Sequence, residues 1–383
     1  MYLVKVYPDS DSPYVSQIYA GLYELSAAGS IQLRLSKTFN HQFVKYEHYL
    51  SSLHMEITDS ESQQSCRVFF DLVDGARTFS MADLDQTDIY FKRTYDEAFI
   101  DTFSKSLREK ILPFGLHYSC RSTHETPMRL MHRLFLYNSI HRTFFSNPMK
   151  AFRQVVGRPL QLLTVGFLLK KPIFSQPLLL SDFEVGPSEA CETKIYFRTR
   201  VYDLDRAQSD YSFKEWKKAN TVRVETIRAL KSHFGKDFIG GLRDTDFSRK
   251  NFPDCIFPVN INMAKHIEYS RRFLINVNTD GLHGSVGWKL PECLAASRCI
   301  VSEPIRVKLP TPLMEGRHYL AFTNPEECVS ACERLMNDTQ ISTSMRRNNY
   351  TYYHDHVKPS KLVHKCLQTA FSKFEKAEAS RKP

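Results

Sequence analysis

The chain has 383 residues, 42% hydrophobic and 25% charged, a composition that excludes a disordered, collagenous or small disulfide-stapled protein. Its 52 lysines and arginines against 42 acidic residues leave a formal charge of +10, which suits a polyanionic partner: nucleic acid, an anionic membrane surface or a phosphorylated substrate. At roughly 100–200 residues per domain, the length predicts two domains, each able to bury its own core.

Residues 2–7 read as a short strand closed by Pro8 and Asp9, without the apolar core of a signal peptide. Ser12 and Pro13 read as the cap and first residue of a helix. Further strands are predicted over 31–35, 66–72 and 88–91, an α/β rhythm. Thr126 and Pro127 then open a helix running to about residue 145, with Leu130, Met131, Leu134, Phe135 and Ile140 on its apolar side and Arg129, His132, Arg133, His141 and Arg142 among the rest. This basic amphipathic helix, with Arg153, Arg158, Lys170 and Lys171 after it, predicts peripheral contact with anionic lipid head groups, although an ordinary helix packed on its own domain reads the same way. The longest apolar stretch, 160–169, is about half of what a bilayer crossing needs.

A proline-punctuated stretch up to Pro187 places the domain boundary near residue 180. The expected organisation is an N-terminal domain over 1–180, a C-terminal domain over 181–360, a closing helix over 361–376 and a frayed tail over 377–383. In the second half, strands are expected at 194–197, 237–240, 273–277 and 299–302. Helices are expected at about 212–233, 288–296, 325–336 and 360–374. The nine cysteines are odd in number, scattered and without a C-x-x-C pair, so neither a zinc ribbon nor a disulfide framework is indicated and a reducing cytoplasm is the expected setting.

The most informative segment is 273–304. A buried-type strand feeds a loop holding Gly281, Gly284 and Gly287, and a helix starts near Trp288. Glycines let backbone N–H groups approach an anion, a helix N-terminus adds about half a positive charge, and Lys289 adds a full one, so a phosphate cradle is predicted. Glu292, one turn further on, can accept two hydrogen bonds from the vicinal diol of a ribose. Any α/β protein contains strand, glycine turn and helix, so the spacing alone does not decide.

The run Gly287-Trp288-Lys289-Leu290-Pro291-Glu292-Cys293-Leu294-Ala295-Ala296-Ser297-Arg298-Cys299-Ile300-Val301 resembles the C-terminal nucleotide-sugar-binding domain of GT-B glycosyltransferases of the group 1 kind. Their loop reads E-G-F-G-L-P-x-x-E-A-x-A-x-G-x-P-V-V, with the second glutamate on the donor ribose. Downstream, Glu315 to Phe322 and Asn324-Pro325-Glu326-Glu327 resemble the family's glycine, aromatic, strand and acid-capped helix. Residues 194–203 resemble the first strand of that domain. Exostosin-like transferases share the layout, but their Ser-x-Arg signature is not clear here, which makes them the nearer cousin.

The resemblance implies two Rossmann-like domains facing across a cleft, with Glu292 on the donor ribose. A basic residue at the end of the first strand would meet the donor diphosphate: Arg200, with Arg198 second. The implied donor site is Arg200, Gly284, Ser285, Gly287, Lys289 and Glu292. Gly284 stands where the retaining members carry their first glutamate, so a retaining mechanism is not implied. GT-B enzymes stabilise the departing nucleoside diphosphate with basic side chains and a helix N-terminus, so no metal or other cofactor is expected. Four Asp-x-Asp patterns, at 9–11, 83–85, 203–205 and 244–246, follow no convincing sugar-nucleotide strand.

An inverting transfer also needs a base for the acceptor hydroxyl. Asp74 follows the strand over 66–72, where α/β sites gather, although Asp74-Gly75 is equally a turn. His117 and His283 are further acid–base candidates or, equally, structural histidines. Lys92 and Arg93 end a strand and are candidates for binding a phosphate or an anionic acceptor. The expected activity is transfer of a sugar from a nucleotide-diphosphate sugar to a glycan or lipid-linked glycan, in the cytoplasm or on the inner face of the membrane, with no nucleic-acid partner. Two other readings stay open. One is a basic α/β nucleic-acid-binding protein, which requires a basic face interleaved with exposed aromatics. The other is a non-catalytic sugar-nucleotide-binding relative, which Gly284 keeps alive.

Overall fold

The computed structural model describes residues 1–8, 12–36, 51–126, 129, 177–259 and 261–381. The basic helix expected over 127–145 lies outside the described residues apart from Arg129, and so do Arg153, Arg158, Lys170, Lys171, the apolar stretch 160–169 and the Asp9-Ser10-Asp11 pattern. The chain forms two compact α/β units. The first comprises residues 1–73, 77–180 and 358–383, the second 74–76 and 181–357.

The first unit is built on six strands: β1 (Tyr2–Tyr7), β2 (Ile31–Leu35), β3 (Ser52–Asp59), β4 (Ser65–Asp71), β5 (Ile89–Lys92) and β6 (Ile111–Pro113). They lie in the order β2-β1-β3-β4-β5-β6. All neighbours are parallel except β3, which runs antiparallel to both β1 and β4. No strand was expected at β3, whose Leu53, Met55 and Ile57 alternate onto the core with the two-residue period of a strand while Ser52 and His54 are buried on its other face. Helix α1 (Ser16–Ala27) begins later than Ser12-Pro13 predicts. Those residues form a turn, with the Val15 N–H donating to the Ser12 carbonyl at 3.2 Å. Helix α2 (Met81–Gln86) follows β4.

The second unit holds β7 (Glu192–Thr199), β8 (Phe238–Leu242), β9 (Phe273–Asn278), β10 (Cys299–Ser302) and β11 (Leu320–Ala321), all parallel, in the order β11-β10-β9-β7-β8. Every residue of the central strand β9 is buried, the pattern of a strand covered on both faces. The helices are α3 (Asp210–Phe234), α4 (Asp246–Asn251), α5 (Met263–Arg272), α6 (Lys289–Ala295), α7 (Pro325–Asn337) and α8 (Thr339–Tyr352). Several carry side-chain caps: Ser209 accepts from the Ser212 N–H, and Asn324 from the Glu327 N–H with Pro325 in the first turn.

After a π-helical turn at Tyr353–Val357, α9 (Pro359–Arg381) returns to the first unit. Leu362, Val363, Cys366, Leu367 and Phe371 enter the same core as Ile18, Leu22 and Phe70. Where α9 starts, α1 passes so close that a Cβ on Gly21 would lie 2.4 Å from the Pro359 carbonyl oxygen. The helix is described through Arg381, so the tail expected over 377–383 falls on its last turn and on two residues outside the described ones. Among the described residues, no helix is long and apolar enough to cross a membrane.

Candidate anion and diol site of the second unit

From β7 the chain passes through α3 to β8 on one side of the sheet, then through α4 and α5 to β9 on the other. The strand order therefore reverses between β7 and β9. In open parallel sheets the crevice beyond the strand carboxyl ends at such a reversal is where ligands bind. Arg223, a buried residue of α3, braces this crevice. Its Nε donates to Thr279 Oγ1 at 3.2 Å, Nη1 to the Arg200 carbonyl at 2.9 Å and Nη2 to the Asp280 carbonyl at 2.9 Å, tying the ends of β7 and β9 together. Its guanidinium also lies over the Tyr202 ring.

Lys289, the first residue of α6, donates from Nζ to the Arg198 carbonyl at 2.9 Å and lies over the Phe197 ring. Burial, with the Arg223 charge behind it, pushes its ammonium down to about 7. Arg198, at the end of β7, is also lowered by burial and feels the charge of Arg243. Its Nη2 donates to the Ile261 carbonyl at 3.4 Å, while its buried Nε has no hydrogen-bond partner among the described residues. Glu292 lies one turn along α6, 2% exposed, and its charge acts on Lys289. Its Oε2 is 3.6 Å from His266 Nε2, and its buried Oε1 has no hydrogen-bond partner among the described residues. Beside the crevice, burial and the neighbouring Glu303 raise the Asp280 carboxyl to about 6, against the opposing charge of Arg306 at 3.0 Å.

The glycine loop differs from the predicted cradle. The Gly281 N–H donates to the Ser285 carbonyl at 2.8 Å, the Ser285 N–H to the Leu282 carbonyl at 3.1 Å and the His283 N–H to the Glu215 carboxylate. Two of these donors close the loop on itself and the third ties it to α3, and α6 is only two turns long, without a side-chain cap at Trp288. Gly281 is required by close approach, because a Cβ there would lie 2.4 Å from Ser285 Oγ. Gly284 adopts φ +67°, a conformation glycine tolerates, in an exposed turn. The positive charge of the crevice therefore comes from side chains. Of the two strand-end arginines, Arg198 faces it, whereas Arg200 is exposed with its guanidinium over Tyr202. Arg223, Arg243 and His266 were absent from the sequence-based site, since each sits far along the chain from the glycine loop.

In the first unit, Lys92 is fully buried. Its Nζ donates to Asp71 Oδ2 at 2.9 Å and to the Thr78 carbonyl at 2.6 Å, and Tyr90 donates to the same carboxylate oxygen at 2.5 Å. This ion pair leaves Lys92 no surface to offer a phosphate or an acceptor, which corrects its expected role. Arg93 is buried next to it, its Nη1 donating to the Leu72 carbonyl at 3.4 Å. His117 is buried between Tyr14 and Phe114, and burial together with the Arg93 charge holds it well below the ordinary histidine range, so it is neutral at pH 7. Asp74 is half-buried in the loop after β4. The structure thus gathers Lys92, Arg93 and His117 near the carboxyl ends of β4 to β6, and Lys289, Glu292 and Arg198 near those of β7 and β9.

Three Asp-x-Asp patterns have local partners. Asp83 accepts from Ser80 Oγ and pairs with His54, Asp203 caps its own turn and pairs with Arg206, and Asp244 pairs with Arg249.

No family model and no curated protein matches the chain. Solved structures to which it is similar include Anabaena HepE in complex with UDP-glucose (8% identity, TM-score 0.37, 97% of this chain and 100% of that chain). Others are an α-glucosyltransferase in complex with UDP (11%, 0.38, 97% and 100%) and S. aureus MnaA with UDP (9%, 0.38, 100% and 99%). At such identities and scores the likeness bears no functional argument, which rests on the crevice itself.

Proposed function

We propose that the second unit binds a nucleotide-diphosphate sugar and that the chain is a glycosyltransferase acting on a glycan or lipid-linked glycan. The observation that carries this reading is the cluster of Arg198, Arg223 and Lys289 beside Glu292 at the β7–β9 reversal, with the exposed Arg243 acting on Arg198, and with Arg198 and Lys289 both lowered by burial and by neighbouring positive charge. Holding cations together out of water is costly, and a multiply charged anion offsets that cost. A buried carboxylate oxygen without a partner among those cations suits a ligand that also brings hydroxyl donors, as a ribonucleotide does and a bare phosphate chain does not. When the nucleoside diphosphate departs, negative charge develops on its phosphate oxygens, and these cations meet it without a metal. Asp74 and neutral His117 are the candidates for the acceptor base. The formal charge of +10 goes with peripheral contact at an anionic membrane face.

The test is a thermal-shift panel of nucleoside diphosphates and CMP, without added metal, on the wild type and Glu292→Ala. A ligand at 100 times its Kd stabilises the fold by about 2.7 kcal/mol. The expected result is a shift selective for one base and lost in Glu292→Ala. No shift with any nucleotide, alongside salt-sensitive binding of RNA or DNA, overturns the reading.

A further inference from the structure

A second feature of this crevice has no part in binding phosphate. Tyr196 of β7 and His266 of α5 are both buried, and the tyrosine hydroxyl lies 2.7 Å from His266 Nδ1. Tyr269 and Phe273 hold the Tyr196 ring in place, at centroid distances of 5.6 and 6.1 Å. The other imidazole nitrogen, Nε2, faces Glu292 Oε2 at 3.6 Å. If Nδ1 carried the ring proton, the Nε2 lone pair would point at a carboxylate. The arrangement without that repulsion has the Tyr196 hydroxyl donating to Nδ1 and the ring proton on Nε2, turned towards Glu292. One carboxylate oxygen thereby faces the ring N–H across 3.6 Å, beyond hydrogen-bond length, and the other, Oε1, is buried with no hydrogen-bond partner among the described residues.

We propose that Tyr196 and His266 are positioning residues for Glu292, and that through it they make the site selective for nucleotides with an intact ribose 2′,3′-diol over their 2′-deoxy counterparts. This rests on the reading of the crevice as a nucleotide site. A carboxylate free to rotate takes a diol poorly, because the geometry that receives both hydroxyls is one among several. A ring N–H facing Oε2 biases the carboxylate towards that geometry before the ligand arrives. A ligand without the 2′-hydroxyl then lacks a donor to a charged acceptor, a loss of roughly ten- to a hundred-fold in affinity. The Tyr196 ring serves packing, and only its hydroxyl serves the relay, so Tyr196→Phe separates the two.

The experiment measures calorimetric affinities for three probe pairs, UDP and 2′-deoxy-UDP, GDP and 2′-deoxy-GDP, and ADP and 2′-deoxy-ADP, with thermal melts as a check on folding. The wild type is expected to prefer the ribonucleotide of its cognate base by roughly ten-fold or more. In Tyr196→Phe and His266→Leu that preference falls to a few-fold, with affinity for the deoxynucleotide unchanged. His266→Gln, whose amide nitrogen takes the place of Nε2, restores most of it. If Tyr196→Phe and His266→Leu keep the wild-type ratio while Glu292→Gln loses it, the relay is overturned and Glu292 keeps its role. If Glu292→Gln keeps the ratio too, the assignment of the diol to Glu292 is overturned and the relay with it. If no probe binds the wild type, the nucleotide reading itself has failed.

Discussion

Replacing Lys289 by methionine should make the second unit more stable near neutral pH while weakening its ligand, and the two effects can be separated by pH. The ammonium titrates at about 7 in the folded chain against 10.5 for a free lysine side chain. Between those values the unfolded chain binds more protons than the folded one, so the penalty is full below pH 7 and shrinks as pH rises towards 10.5. At about 1.4 kcal/mol per unit, the full penalty is about 4–5 kcal/mol. The methionine variant escapes it but leaves the Arg198 carbonyl without its donor, a cost of about 1–3 kcal/mol. At pH 6.5 the variant should therefore be about 2–3 kcal/mol more stable than the wild type, and at pH 9 within about 1 kcal/mol of it. The chain's two tryptophans, Trp216 and Trp288, both lie in the second unit, so their fluorescence during urea unfolding reports on that unit alone. The same variant should lose roughly ten-fold or more in nucleotide affinity, as expected for removing one charged donor to a phosphate. A stability difference that is unchanged between pH 6.5 and pH 9 would refute the argument, since it would mean that the ammonium is not held against its charge.

Lys92→Met should destabilise the first unit by about 3–5 kcal/mol, because it leaves the buried Asp71 carboxylate without its counter-ion, and adding Asp71→Asn should recover much of the loss. Thermal unfolding followed by circular dichroism checks this, and nucleotide affinity should not change; a loss of affinity in a stable Lys92→Met variant would return Lys92 to the site. Asp280, raised from 3.8 to about 6, binds its proton more tightly when folded, so its contribution is present below pH 4 and lost as pH rises through 6. Asp280→Asn should remove about 2–3 kcal/mol of that slope, measured as the wild-type minus variant stability from pH 4 to pH 7 by tryptophan fluorescence.

The parallel core of the second unit was legible because its strands are continuous apolar runs between turn and cap signals. The expected strands at 273–277 and 299–302 fall on β9 and β10, and the helix expected at 325–336 falls on α7 with its Asn324 cap. In the first unit β3 was missed for a different reason. Its apolar residues Leu53, Met55 and Ile57 are interleaved with His54, Glu56 and Thr58, a weaker signal than an unbroken run, and its antiparallel placement between β1 and β4 depends on pairing that no local pattern encodes. The packing of α9 on α1 was likewise out of reach. It depends on Gly21, a helix-interior glycine whose purpose appears only when the Pro359 carbonyl is seen against it.

The site shows the same division between local and distant information. Lys289 and Glu292 stand three residues apart on one helix, a spacing that puts them on neighbouring positions of its surface and makes their juxtaposition readable from the sequence. The loop before them carries three glycines and looks like an anion cradle, yet several of its backbone donors are engaged inside the loop and in Glu215. The charge is supplied instead by Arg198, Arg223 and Arg243, which follow or support different strands, and the contact from Lys289 to the Arg198 carbonyl spans 91 residues. A parallel sheet brings such residues together because all its strands end on one edge, and the reversal between β7 and β9 opens a gap at that edge where their charges meet. The physical content of the site therefore lies in the strand order. A basic residue moved from the end of β7 to the loop would keep the chain's net charge and its glycine pattern, and would still remove the cation that Lys289 and Arg243 surround.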